Sequence, residues 1–116
     1  MNLNELAKHC YDNAVRRGKV TDVTTKRDFI IALLGEVFEF DNAKPWDNED
    51  CKELIDDLEK SETDAQFDLR FCKSIKNHEP NEIADIISIL LTYCHKMNYD
   101  IDKYLKHTVK YNSIRK

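Results

Sequence analysis

Phe29-Ile30-Ile31-Ala32-Leu33-Leu34-Gly35-Glu36-Val37-Phe38-Glu39-Phe40 is the stretch on which the fold turns. Its apolar residues fall on every side of a 3.6-residue helix, the pattern of an element packed against neighbours on most faces. Two glutamates interrupt it. Glu82-Ile83-Ala84-Asp85-Ile86-Ile87-Ser88-Ile89-Leu90-Leu91 repeats the arrangement and would be core all round without its two acids. Buried carboxylates are costly unless paired with a cation or neutralised, so stability alone does not select four acids in such surroundings.

Working outward, helical periodicity continues through the chain, with only two glycines and two prolines to punctuate it and no alternating strand-like run. The fold class read from this is all-α, a bundle of four to six helices. A first helix runs from about Asn4 to Arg17 and ends at Gly18. The second begins after Thr24 or Thr25, carries Asp28 in its first turn, continues to about Ala43 and is stopped by Pro45. Asp47 suits the cap of a short helix with Cys51, Leu54, Ile55 and Leu58 as its apolar stripe. Ser61-x-x-Asp64 resembles a capping box for another helix, through Phe67 and Phe71 as its core stripe to near Asn77. Pro80 fits the first turn of a long helix to about Met97, and Asp100 caps a last one. No internal repeat or low-complexity segment is visible, and 116 residues make one domain the natural reading.

Charged residues at 34% and hydrophobic ones at 41% exclude a disordered or membrane class. No apolar run reaches the roughly 18 residues of a spanning helix, and Met1 to Glu5 lacks the start of a secretory signal, so a cytoplasmic location and no membrane partner are expected. Cys10, Cys51, Cys72 and Cys94 form no C-x-x-C pair and read as reduced, half-buried apolar residues. Net charge is −4 but uneven, with nine acids against two lysines in Asp47–Asp64 and five bases against no acid in Lys103–Lys116. Such a distribution fits a ligand bringing both metal and phosphate, and equally a solvated surface. Nothing suggests a nucleic-acid partner.

Residues three apart on a helix share a face, with Cβ atoms about 5–6 Å apart, so Glu36/Glu39 and Glu82/Asp85 form two forked pairs. If the two helices lie side by side, four carboxylates converge. An all-oxygen cluster suits a hard divalent cation, Mg²⁺ or Mn²⁺. No Cys or His stands beside either pair, and the Glu-x-x-His of di-iron bundles is absent. The alternative is that the acids face a surface groove or pair with lysines and arginines. Trp46 reads as a packing anchor in preference to a base-stacking residue, and His9, His78, His95 and His107 have no spacing that suggests catalysis or metal binding.

These residues resemble the MazG-like all-α nucleoside triphosphate pyrophosphohydrolases, which carry E-x-x-E on one helix and E-x-x-D on a later one. The likeness is borne by Leu33 to Phe40, by Asn81-Glu82-Ile83-Ala84-Asp85-Ile86-Ile87, and by Asn98-Tyr99-Asp100-Ile101 followed by Lys110-Tyr111-Asn112-Ser113-Ile114-Arg115. It covers about two-thirds of the single domain 1–116, leaving 44–79 as a variable helical insert. The chain departs from the pattern at Gly35, where the family often has a further glutamate, and at Thr108, where a lysine is common.

The resemblance implies Mg²⁺-dependent hydrolysis of a nucleoside triphosphate to the monophosphate and pyrophosphate. Glu36, Glu39, Glu82 and Asp85 would hold the metal, Glu39 would act as base, and Lys110, Asn112 and Arg115 would hold substrate phosphates. Asn112 and Arg115, three apart, would share one helical face. The competing readings are a non-catalytic helical interaction or regulatory module with a relic acidic site, and a hydrolase of another phosphoanhydride. Because a 116-residue bundle cannot cover two helices apolar on all sides, a homo-oligomer, dimer or tetramer, is expected.

Overall fold

The computed structural model describes residues 1–115, with the side chains of residues 48–50 set aside. Among these residues are six helices and no strand: α1 (Leu3–Arg16), α2 (Lys26–Asp41), α3 (Asn48–Glu59), α4 (Asp64–Ser74), α5 (Glu79–Lys96) and α6 (Ile101–Ile114). The all-α expectation therefore holds. No helix among the described residues is long and apolar enough to cross a membrane.

Local chemistry explains the boundaries. Asn2 caps α1 by accepting from the Glu5 N–H at 2.9 Å. At its other end Gly18, at φ 73°, donates to the Val15 carbonyl while Lys19 donates to that of Ala14. This is a Schellman ending, in which a left-handed residue lets the chain satisfy the last carbonyls. Thr25 and Asp28 cap α2 reciprocally: the Thr25 N–H donates to Asp28 Oδ2 at 2.8 Å and the Asp28 N–H to Thr25 Oγ1 at 3.3 Å. The Thr25 N–H, with the Thr25 hydroxyl donating to the same oxygen at 3.0 Å, holds the Asp28 carboxyl below its ordinary range.

The cap of α4 corrects the sequence reading. Its N-cap is Thr63, not Ser61, with Thr63 Oγ1 accepting from the Gln66 N–H at 3.1 Å and Gln66 Oε1 accepting from the Glu62 N–H at 2.9 Å. The helix ends at Ser74, short of Asn77. Ser61 instead accepts from Arg70, whose guanidinium also donates to the Asp57 carbonyl at 2.8 Å, joining the α3 end to α4.

The chain packs as two compact units, Leu34–Ile86 and Met1–Leu33 with Ile87–Lys116. In the latter, Ala7, Val20, Phe29 and Leu91 are buried, and Phe29 meets Tyr93 edge-on at 5.1 Å. There α1 packs on α6, where Asn4 donates to Asp100 Oδ1 at 2.7 Å. In Leu34–Ile86, α3 packs on α4, and Leu58 and Ile75 are buried. A parallel bridge pairs Lys44 with His78, and the Glu79 N–H donates to the Lys44 carbonyl at 3.0 Å. Pro45 disfavours helix at Lys44, which frees that carbonyl for the bridge. Trp46 then packs edge-on against His78 with ring centroids 5.1 Å apart, the anchor role the sequence suggested.

Coverage of the apolar helices differs from the pattern. Within α2 only Phe29 is buried, while Ile31, Leu34 and Phe38 are 59%, 53% and 68% exposed. Ile83, Ile87 and Leu90 of α5 are exposed as well. The run that reads as core on every side thus keeps a bare apolar face. Phe67 is exposed beside half-buried Phe71, so that pair is not a full core stripe, and Cys72 is exposed where half-burial was expected.

Candidate functional site

Glu36 and Glu39 lie on α2 and Glu82 and Asp85 on α5, all within Leu34–Ile86. The Lys44–His78 bridge ties the segment leaving α2 to the segment entering α5, which brings the two forked pairs to one place. One carboxylate oxygen from each residue lies within 4.8 Å of the others. Glu39 is exposed, Glu36 and Asp85 are half-buried, and Glu82 is 3% exposed.

The electrostatics are those of a cluster short of positive charge. Burial is the chief cause raising the Glu36 carboxyl to about 7, with Glu39 next and the charges of Asp85 and Glu82 behind. Burial also raises Glu82, followed by repulsion from Asp85 and Glu39. Lys76 opposes this shift, but more weakly than each of the raising influences. Glu36 Oε2 and Glu82 Oε2 are buried with no hydrogen-bond partner. Leaving buried polar atoms unsatisfied costs about 1–3 kcal/mol each, more when charged, so two orphaned oxygens in one place call for a ligand. Hard oxygen donors at this spacing fit a divalent cation of the Mg²⁺ or Mn²⁺ type.

Lys110 and Asn112 are exposed on α6, and exposed Arg115 is its C-cap, all in the unit that contains α1. Arg115 has extended backbone, φ −73° and ψ 147°, so it does not continue a helical face with Asn112 as the spacing predicts. Its guanidinium lies 5.9 Å from the centroid of the Tyr111 ring.

Sequence reasoning missed a neighbouring cavity of about 360 Å³, lined by Phe38, Glu39, Asn42, Ala43, Asn77 and Glu82. Glu36, Glu39 and Asn42 follow one another at i, i+3 spacing, a signal that could have flagged Asn42. Asn77 carried no local signal, because it reaches the cavity only through the pairing of Lys44 with His78. No protein-family model, curated protein or solved structure matches this chain.

Proposed function

We propose that this chain is a Mg²⁺-dependent pyrophosphohydrolase that converts a nucleoside triphosphate to the monophosphate and pyrophosphate. The observation that carries the reading is Glu82, 3% exposed, with one carboxylate oxygen unpartnered and three further carboxylates that each bring an oxygen within 4.8 Å. The substrate class comes from the MazG-like pattern of E-x-x-E and E-x-x-D.

Glu36, Glu39, Glu82 and Asp85 are the residues that would hold the cation. When bound, the cation would offset the triphosphate's charge and polarise the phosphorus under attack. Glu39, the exposed member, would take the proton of the attacking water. As the new phosphorus–oxygen bond forms, the bond to the bridging oxygen breaks and pyrophosphate leaves with its electron pair. On the MazG-like pattern alone, Lys110, Asn112 and Arg115 would hold phosphate oxygens, Arg through its planar fork and Lys as a point charge.

The bare apolar residues of α2 and α5 favour a homo-oligomer, and they also support the second reading, a helical interaction module whose acids are relics. Purified protein is incubated with Mg²⁺ and a panel of ordinary and modified nucleoside triphosphates, and Mg²⁺ binding is measured by calorimetry. Release of pyrophosphate from at least one is expected. Absence of both release and Mg²⁺ binding leaves the interaction module. Light scattering after size exclusion that returns a single 13.7 kDa species would remove the oligomer.

A further inference from the structure

The cavity beside the acids has lining residues that the hydrolytic chemistry does not use. Phe38, Asn42, Ala43 and Asn77 line it together with Glu39 and Glu82, and none of the first four carries a charge. Its lining offers a phosphate chain no cation, and Lys76, whose charge reaches Glu82, is not among the lining residues. A planar, neutral, hydrogen-bonding group finds an aromatic ring and two amides. We propose that this cavity seats the base of the nucleotide, with Asn42 and Asn77 reading its edge and Phe38 packing on its face; the proposal rests on the pyrophosphohydrolase reading.

Three observations support the assignment. At about 360 Å³ the cavity lies at the small end of ligand sites, which run from roughly 300 to 1,000 Å³, and has room for one base. The Asn42 Nδ2 donates to the carbonyl of Phe38 at 2.9 Å, which fixes the amide plane and leaves Oδ1 as an acceptor. Phe38, at 68% exposed, offers a ring face of the kind that stacks on bases in single-stranded nucleic acid complexes.

Asn77 supplies a clean perturbation. Its φ is 72°, a conformation that glycine adopts without strain, so Asn77→Gly removes the amide and leaves the backbone at ease. Asn42→Ala removes the other amide, at the residue that follows α2, together with its bond to the Phe38 carbonyl.

The experiment has two arms. Wild type, Asn42→Ala and Asn77→Gly are titrated with the four common nucleoside monophosphates in the presence of Mg²⁺, and KM and kcat are measured with the matching triphosphates. Wild type is expected to prefer one base. Each variant should bind Mg²⁺ as wild type does, lose about tenfold in affinity for the preferred monophosphate, and show a KM increase larger than any fall in kcat. Equal binding of all four monophosphates by wild type, or undiminished preference in both variants, overturns the base site. Failure of every triphosphate to release pyrophosphate defeats the hydrolase reading alone, because the monophosphate titration still decides whether a base is read.

Discussion

The chain holds two concentrations of acid, and they differ in everything except charge. In α3 the acids Glu53, Asp56, Asp57 and Glu59 are exposed to water. On α2 and α5 four acids also occur together, yet there Glu82 is buried, two oxygens have no partner, and the Glu36 carboxyl is raised to about 7. The denser acidic segment is the less consequential one. What makes carboxylates reactive is the desolvation imposed by their neighbours and the lack of a counter-charge, not their number.

The largest effect that tests this contrast is Glu82→Gln. The substitution keeps the shape of the side chain and removes a charge that the fold buries among other acids. Pyrophosphate release should fall by about 10³-fold or more, since a lost metal ligand forfeits several kcal/mol of transition-state stabilisation. The metal-free variant should melt at or above the wild-type temperature, because a buried like-charge contact is gone. Unchanged release would remove Glu82 from the site.

Next in size is the response to the cation itself. A ligand at 100 times its dissociation constant adds about 2.7 kcal/mol of stability. For a domain of this size that corresponds to a melting-temperature rise on the order of 10 °C, reversed by chelator. Differential scanning fluorimetry of wild type beside Glu82→Gln should show the rise in the first and little in the second. An equal rise in both would locate the cation elsewhere.

A smaller effect follows from Glu36. Its carboxyl is raised from 4.5 to about 7 in the folded protein, so between these values the native state holds a proton that the unfolded state has lost. Stability of the metal-free protein should therefore fall as pH rises through this window, the protonated form being favoured fully below 4.5. Glu82, raised by burial, adds in the same direction. Denaturation series from pH 4.5 to 7.5 should show the decline in wild type and a shallower one in Glu36→Gln. Saturating Mg²⁺ should flatten it by favouring the ionised carboxylates.

The same contrast explains what could be read from sequence. Glu36, Glu39, Glu82 and Asp85 stood out because charges inside apolar runs contradict local patterning, and the structure brings those four together. Gly18, Pro45 and Pro80 fixed helix limits because their backbone constraints act locally. The cap at Thr63 was misplaced because both Ser61 and Thr63 precede a polar residue at the right spacing, and only the reach of the Gln66 side chain decides between them. The bare faces of α2 and α5 were illegible for another reason. Periodicity reports which residues would profit from burial, not whether the chain has anything to cover them with. Asn42 and Asn77 belong to the same class, since they share a cavity through a pairing of residues far apart in sequence.

The smallest expected effect is also the sharpest control. Glu53→Gln and Glu59→Gln each remove one charge from α3, as Glu82→Gln removes one from α5, so all three change net charge equally. If the cation were drawn by the overall acidity of the chain, the three substitutions would weaken Mg²⁺ binding alike. Exposed charges are screened beyond a Debye length of about 8 Å at physiological salt, whereas a ligand carboxylate acts by direct contact. Glu53→Gln and Glu59→Gln should therefore leave stability within about 0.5 kcal/mol of wild type and shift Mg²⁺ affinity by less than about twofold, measured calorimetrically in 0.15 M salt. Loss of affinity in either variant to the level of Glu82→Gln would replace the four-carboxylate site with a diffuse field.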